Sequence, residues 1–526
     1  MKWYKKGAVI LSSLMLSVAI VAAGCSDNTK DGSGSSQPSG TGGNEGSGLK
    51  PYEVIMVYPD APQKDNEKVQ DAINDYLNKT YPEMNVTVKL NPIDWGAWSD
   101  KTNLMMASGD KFDLIFTADW LNFQQQVTKG ALLPLDELLA KYGPDIEAVE
   151  KDYHDAAKRG GKLYGIHTHQ ELGNPQGLAF SKELVDKYQF DLSVFKSGKV
   201  EDLEPMLKII KENEPGVTPL VGPGFPLDAY YGSSSTDGVA NVAVLDIRDT
   251  SPENMYKVVN TYEVPRYMEL AKLTHKWFEA GYINKDATTA GLDIWKKFQA
   301  KRAFATVADM DIVANLDIGV PMPMPSKTAV TGTHIIQVPL NIDRLQTGKM
   351  AATMQAISKT SKDPERAMML LNLFFKDKEL LTLFNFGIEG THYVVKDGQI
   401  ALPDGKTSDT VGYYHDNMWQ IGNQMLNYTR VGEDPKKYEN YEAFNKKVAE
   451  KESRIFGFVF DPEPVKDVLI AIDNAKKSFD DGLRSGQLDP EENIPKLLDK
   501  LKAAGIDKLM AEAQKQVDEW RAANGK

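Results

Sequence analysis

Val54-Ile55-Met56-Val57-Tyr58 is a short apolar, β-rich run that stops at the turn-prone Pro59-Asp60-Ala61-Pro62. Beyond it the period changes. Val69, Ala72, Ile73, Tyr76 and Leu77 fall at helical spacing, with Asp65 or Asn66 as the cap. Val86, Val88 and Leu90 then alternate with Thr87 and Lys89 in strand period, a second helix from Asp94 stops at Ser108-Gly109, and a third strand occupies 113–117. Strand, helix, strand, helix, strand is the rhythm of a largely parallel sheet with helices on its faces, so the fold class is α/β. Ligands of such sheets sit beyond the carboxyl ends of the strands, which directs attention to the segments opening at Pro59, Asn91 and Ala118.

Upstream, Lys2, Lys5 and Lys6 precede an uncharged apolar run over 7–20, followed by Ala22-Ala23-Gly24-Cys25. The run is shorter than the ~20 residues that span a hydrocarbon core, and small residues follow it, so residues 1–24 read as a signal peptide rather than a permanent anchor. Ala-Ala-Gly-Cys resembles the lipobox of bacterial lipoproteins, with Ala22 where leucine is commoner. That resemblance implies that Cys25 is acylated, and a diacylated cysteine supplies the two chains that stable anchoring needs. Cys25 is the only cysteine, so no intramolecular disulfide forms. Residues 26–48 are mostly Ser, Gly, Asn, Asp and Thr. They read, with Cys25 and Leu49, as a flexible tether whose coil reaches roughly 25–30 Å.

The remaining stretch of roughly 480 residues is long for one core and predicts two domains. Without Lys2, Lys5 and Lys6 the formal net charge of −13 becomes −16. An acid balance of that size argues against nucleic acid and against a basic lipid-binding surface.

Further along, Gly160-Gly161-Lys162-Leu163 reads as a hairpin leading into a strand. The order Ala-Ser-Gly-Asp-Lys-Phe-Asp-Leu (107–114), Gly-Ala-Leu-Leu-Pro-Leu-Asp (130–136) and Gly-Lys-Leu-Tyr-Gly-Ile (161–166) resembles the family 1 extracellular solute-binding proteins, the receptor subunits of ABC sugar importers. Trp295-Lys296-Lys297-Phe298-Gln299-Ala300-Lys301-Arg302-Ala303-Phe304 continues the resemblance, with Ala300 in place of the usual glycine. Asn385-Phe386-Gly387-Ile388-Glu389-Gly390-Thr391-His392-Tyr393 and a helical tail from about Val465 are similar to the longer Gram-positive subgroup. The resemblance implies a two-lobed periplasmic-binding-protein-like fold of type II, with discontinuous lobes joined by crossover strands and closing on a ligand by hinge motion. It places the crossovers near 178–180 and 306–308, with a third between 350 and 365. The expected lobes are therefore 50–178 with 307–360, and 179–306 with 361–526. The implied partners are a soluble oligosaccharide, the permease subunits of an importer and the membrane through the lipid, for a monomer on the outer face of the cell membrane. No cofactor is implied.

Sugars present apolar CH faces and rings of hydroxyls, so their clefts need aromatic platforms and planar polar groups. Of eight tryptophans, Trp95, Trp98 and Trp120 lie just beyond strand ends. Trp95 and Trp98, three apart on a helix, share a face, which suits a ligand wall or a core stripe equally. Asp119 and Trp120 follow a strand directly, and Asp60 follows the first. Trp419 offers a platform or a packing aromatic; Trp277 fits the core. His169, Glu171 and Asn174 belong to a polar segment just before a crossover, and Asp309 with Asp311 follows the returning strand. Tyr231 suggests a loop over the opening. His167 and His169 point the same way on a strand, but no third His or Cys lies nearby to complete a metal set. Glu389 and Arg430 are weaker candidates.

Two other functions fit the same address. A surface-anchored glycoside hydrolase needs two carboxylates about the scissile bond, and 74 acidic residues do not exclude such a pair. Positive signs are missing, since no Gly-x-Ser-x-Gly, His-Glu-x-x-His or phosphate-loop motif occurs. A binding lipoprotein serving sensing rather than import would share fold and ligand.

Overall fold

The computed structural model describes residues 49–222, 235–288, 294–342, 351–415, 418–450 and 453–525. The signal peptide, Cys25, the tether and Tyr231 lie outside the described residues.

The strands Val86–Ile93, Tyr52–Pro59 and Leu114–Thr117 lie side by side in parallel, with Tyr52 opposite Val86 and Met56 opposite Leu114. Met354–Ile357 and Ile166–His167 extend the sheet antiparallel. The βαβ reading therefore holds. The helix Asn66–Thr80 buries Val69, Ile73 and Leu77, the stripe that helical spacing selected. Each such side chain contributes roughly 1.5–3 kcal/mol on burial. The second helix, Trp98–Ser108, stops at Gly109 in the left-handed conformation.

A second sheet has the order Met322–Pro323, Ile335–Pro339, Gln176–Ser181, Ala303–Asp309, Thr218–Leu220. Each of these two five-stranded sheets has its own core. Val54, Val57, Ile73, Phe116, Leu371 and Phe384 belong to the first, and Phe180, Phe195, Leu207, Trp277, Phe304 and Leu509 to the second.

The lobe boundaries differ from the expectation. The helices Pro364–Leu373 and Lys378–Phe386 bury their apolar faces in the first core, so the segment after 361 does not start the second lobe. The described residues from the strand at 176 through Leu340 build the second core instead, and it takes up the helical tail from Ile455. Residues 306–308 are not a crossover, because Ala303–Asp309 is held between Gln176–Ser181 and Thr218–Leu220 inside the second sheet. Among the described residues, 168–175, 341–342 with 351–353, and 427–450 with 453–454 lie at passages between the lobes. One apolar cluster joins these crossings: Leu172 from the first, Ile342 from the second, and Phe444 and Val448 from the third. Asn445, on the helix Lys437–Ala449 of the third crossing, accepts from the Leu172 N–H at 2.8 Å and donates to the Gln170 carbonyl at 2.8 Å.

Candidate ligand-binding cleft

Asp94 ends the strand Val86–Ile93 by accepting the Gly96 N–H, which winds Trp95–Ala97 into a single tight turn before the helix begins. That turn separates two tryptophans in depth. Trp95 stays 38% exposed, while Trp98 is 2% exposed and sealed in the first core. Trp120 stands just past the strand Leu114–Thr117 and is 54% exposed. Asp119 accepts its backbone N–H at 2.7 Å, and its indole Nε1–H donates to the Ala352 carbonyl at 2.7 Å, so the ring is held at both ends. Trp419 arrives from another direction. Gly422, at φ 71°, lets the chain turn against the Phe374 carbonyl, where a Cβ would come within 2.3 Å of the oxygen.

The three rings converge. Trp95 lies 5.8 Å from Trp120 at 26° and 6.1 Å from Trp419 at 24°, a row of near-parallel indoles. Phe116 meets Trp95, Trp120 and Trp419 edge-on from below, at 5.7–6.4 Å. Such contacts fix ring planes at roughly 0.5–1.5 kcal/mol per pair.

Two of the rings share a cavity with charged groups. It measures about 410 Å³ and is lined by Trp120 and Trp419 together with Glu171, Arg430, Glu433, Lys437 and Tyr441, which come from the first and third crossings. Glu433 accepts the Arg430 N–H at 2.9 Å and the Lys437 ammonium at 2.9 Å. Burial, reinforced by Glu171, raises the Tyr441 phenol well above its ordinary range, so it enters the cleft as a neutral hydroxyl. Gln424, also lining, has a buried Oε1 without a partner among the described residues.

Trp95, Trp120, Trp419 and Glu171 are thus brought together. The other candidates are spent elsewhere. Trp98 is core, because its ring packs beneath Trp95 and Phe116. Asp119 positions Trp120. Asp60 accepts from His415 Nδ1 at 2.7 Å. Asp309 accepts from Asn174 at 3.0 Å and from Gln176 at 2.9 Å, tying the first crossing to the end of a second-lobe strand. His167 and His169 do point the same way, but toward a carboxylate: both Nδ1 atoms contact buried Glu150, His169 at 2.5 Å. Burial alone would raise the Glu150 carboxyl, but the two imidazoles outweigh it and hold it below the usual range.

Sequence reasoning missed Glu433, Lys437 and Tyr441 and ranked Arg430 low. Glu433 and Lys437 are four apart at a helix start, the pattern of a solvated ion pair, and only the third crossing turns that face toward the tryptophans.

Comparison with known proteins agrees with this architecture. A model described as bacterial extracellular solute-binding protein matches residues 59–379, and one described only as a domain of unknown function matches 454–522. A carbohydrate ABC transporter substrate-binding protein of Streptococcus pneumoniae is 33% identical over 482 residues, 90% of this chain and 92% of that one. The crystal structure of the N-glycan transport solute binding protein NgtS from Streptococcus pneumoniae superposes with a TM-score of 0.74 at 28% identity, covering 89% of this chain and 99% of that one. The same protein in complex with Man5GlcNAc gives a TM-score of 0.66 at 29% identity, over 90% of this chain and 98% of that one. With two five-stranded sheets, each in its own lobe, and with the family model covering most of its length, the chain belongs to the bacterial extracellular solute-binding proteins.

Proposed function

We propose that this protein is the receptor of an ABC importer and captures an oligosaccharide in the cleft between its lobes. The observation that carries the reading is the row of Trp95, Trp120 and Trp419, the first two just past strand ends of the first lobe, with Trp120 and Trp419 lining one cavity together with Glu171, Arg430, Glu433 and Lys437. Flat indoles take the CH faces of sugar rings, and the charged groups take their hydroxyls. The 33% identical relative, a carbohydrate transporter's binding protein, and the NgtS complexes with Man1GlcNAc and Man5GlcNAc support the same class of ligand. Sugar held between the lobes binds the closed form better than the open one, and that difference drives closure about the crossings. Closed, loaded protein is then what the permease subunits meet.

In this reading Cys25 carries two acyl chains at the outer face of the cell membrane, and the tether keeps a monomeric receptor near its importer at a high effective concentration. Among the described residues no helix is long and apolar enough to cross a membrane. Cys25→Ser should move the protein from the membrane fraction to the medium.

The central experiment is a thermal-shift and calorimetric screen of residues 26–526 against a glycan panel that includes Man1GlcNAc and Man5GlcNAc. At least one glycan should bind at micromolar or tighter affinity with no new reducing ends. Release of reducing ends would overturn the reading in favour of a hydrolase, and success of peptides alone would overturn the sugar.

A further inference from the structure

A second cavity, of about 540 Å³, opens beside the tryptophan cleft and shares Arg430 and Glu433 with it. Its size falls within the roughly 300–1,000 Å³ of small-ligand pockets. Ser326, Lys327 and Val330, on or beside the second-lobe helix Pro325–Thr331, form one side, and first-lobe residues from Asn385 to His415 form the other.

Among the fully buried lining side chains, two leave one polar atom without a partner among the described residues: Asn385 Oδ1 and His415 Nε2. Both are fixed at their other end. Asn385 Nδ2 donates to Asn427 Oδ1 at 2.8 Å, and His415 Nδ1 lies 2.7 Å from Asp60 Oδ2. A carboxylate only accepts, so Nδ1 carries a proton, and in the neutral ring Nε2 presents a lone pair. With that ring neutral, the two orphan atoms are both acceptors. Buried acceptors left unsatisfied cost free energy, and a native fold tolerates them where a ligand supplies the donors. Hydroxyl groups are such donors, and Phe386, Tyr393 and Ile400 on the same wall offer apolar surface for a CH face.

We propose that this cavity is a second sugar compartment, which seats a further pyranose unit of the bound oligosaccharide by accepting its hydroxyls at His415 Nε2 and Asn385 Oδ1. The inference rests on the tryptophan cleft being the oligosaccharide site. Because Arg430 and Glu433 line both compartments, one glycan chain runs from the indoles past them into the second cavity. A sugar seated there touches the helix Pro325–Thr331 as well as the first lobe, so longer glycans favour closure more than short ones.

The test compares Man1GlcNAc and Man5GlcNAc by calorimetry on residues 26–526, in the wild type and three variants. Val431→Trp fills the cavity from an exposed position, 51% accessible, that does not disturb the core. It should lower Man5GlcNAc affinity by about tenfold and leave Man1GlcNAc within about twofold. His415→Leu should do the same; should that variant fail to fold, Val330→Trp, at a site 64% exposed, supplies the second arm. Trp120→Ala should weaken both glycans. Unchanged Man5GlcNAc affinity in Val431→Trp, with Trp120→Ala still damaging, overturns the second compartment alone. Unchanged affinity of both glycans in Trp120→Ala, or no binding of either to the wild type, overturns the cleft reading and this inference with it.

Discussion

Trp98 and Trp120 touch the same two rings, Trp95 and Phe116, yet one is sealed at 2% exposure and the other stands 54% exposed. The difference is a matter of which side of Phe116 each ring occupies. Below it lies the core of the first lobe, where an indole supplies buried area. Above it lies the cleft, where the same ring is held by the Ala352 carbonyl and keeps a face open. Stability and binding are therefore separable within a few ångströms.

The largest effect belongs to the lower ring. Trp98→Ala should cost about 3–5 kcal/mol of stability, the range for deleting a fully buried aromatic. Chemical denaturation should register it as a shift in midpoint, and glycan affinity measured well below the melting temperature should change far less. A stable Trp98→Ala protein with lost affinity would invert the comparison.

The upper ring should behave the other way. Trp120→Ala should weaken glycan binding by roughly 1–2 kcal/mol and move stability by less than about 0.5 kcal/mol, since an exposed side chain leaves little buried area behind. Trp120→Phe sharpens this by keeping a flat ring and losing only the N–H donated to Ala352. An intermediate loss of about 0.5–1 kcal/mol is expected in calorimetry, the worth of one hydrogen bond that fixes the ring plane. A loss as large as that of Trp120→Ala would mean that orientation, not area, carries the platform.

That contrast also marks what the sequence could tell. The first three strands were legible because the period switches cleanly from 2 to 3.6 and back over a continuous stretch. The row Trp95, Trp120, Trp419 was half legible: strand ends pointed to the first two, but a spacing of three could not separate a ring in a capped turn from one in the helix behind it. The helices Pro364–Leu373 and Lys378–Phe386 were assigned to the wrong lobe because an amphipathic stripe looks the same whichever core receives it. Glu150 was not singled out at all. It closes a short helix among other acidic residues, and only the fold brings His167 and His169 to it.

The smallest effects concern titration, and they extend the contrast between buried and cleft-facing groups to the histidines. Burial pushes the His392 imidazole below its ordinary value, against the opposing pull of Asp65. A depressed folded-state value contributes stability that is present above the unfolded value of about 6.5 and is lost as pH falls through the folded one. Glu150, also depressed, behaves with the same sign in a lower window: its contribution is present above about pH 4.3 and disappears as pH falls through its folded value. Melting temperature followed from pH 8 to pH 3 should therefore decline gently below about 6.5 and more steeply below about 4.3. His392→Gln should flatten the first decline relative to wild type and Glu150→Gln the second. Neither group lines the cavity at the tryptophans, so Man1GlcNAc affinity should stay flat between pH 8 and pH 5. A wild-type-minus-variant difference that grows toward low pH instead would reverse the sign assigned to either group. It would mean that the charged imidazole, or the protonated carboxyl, is the form the fold prefers.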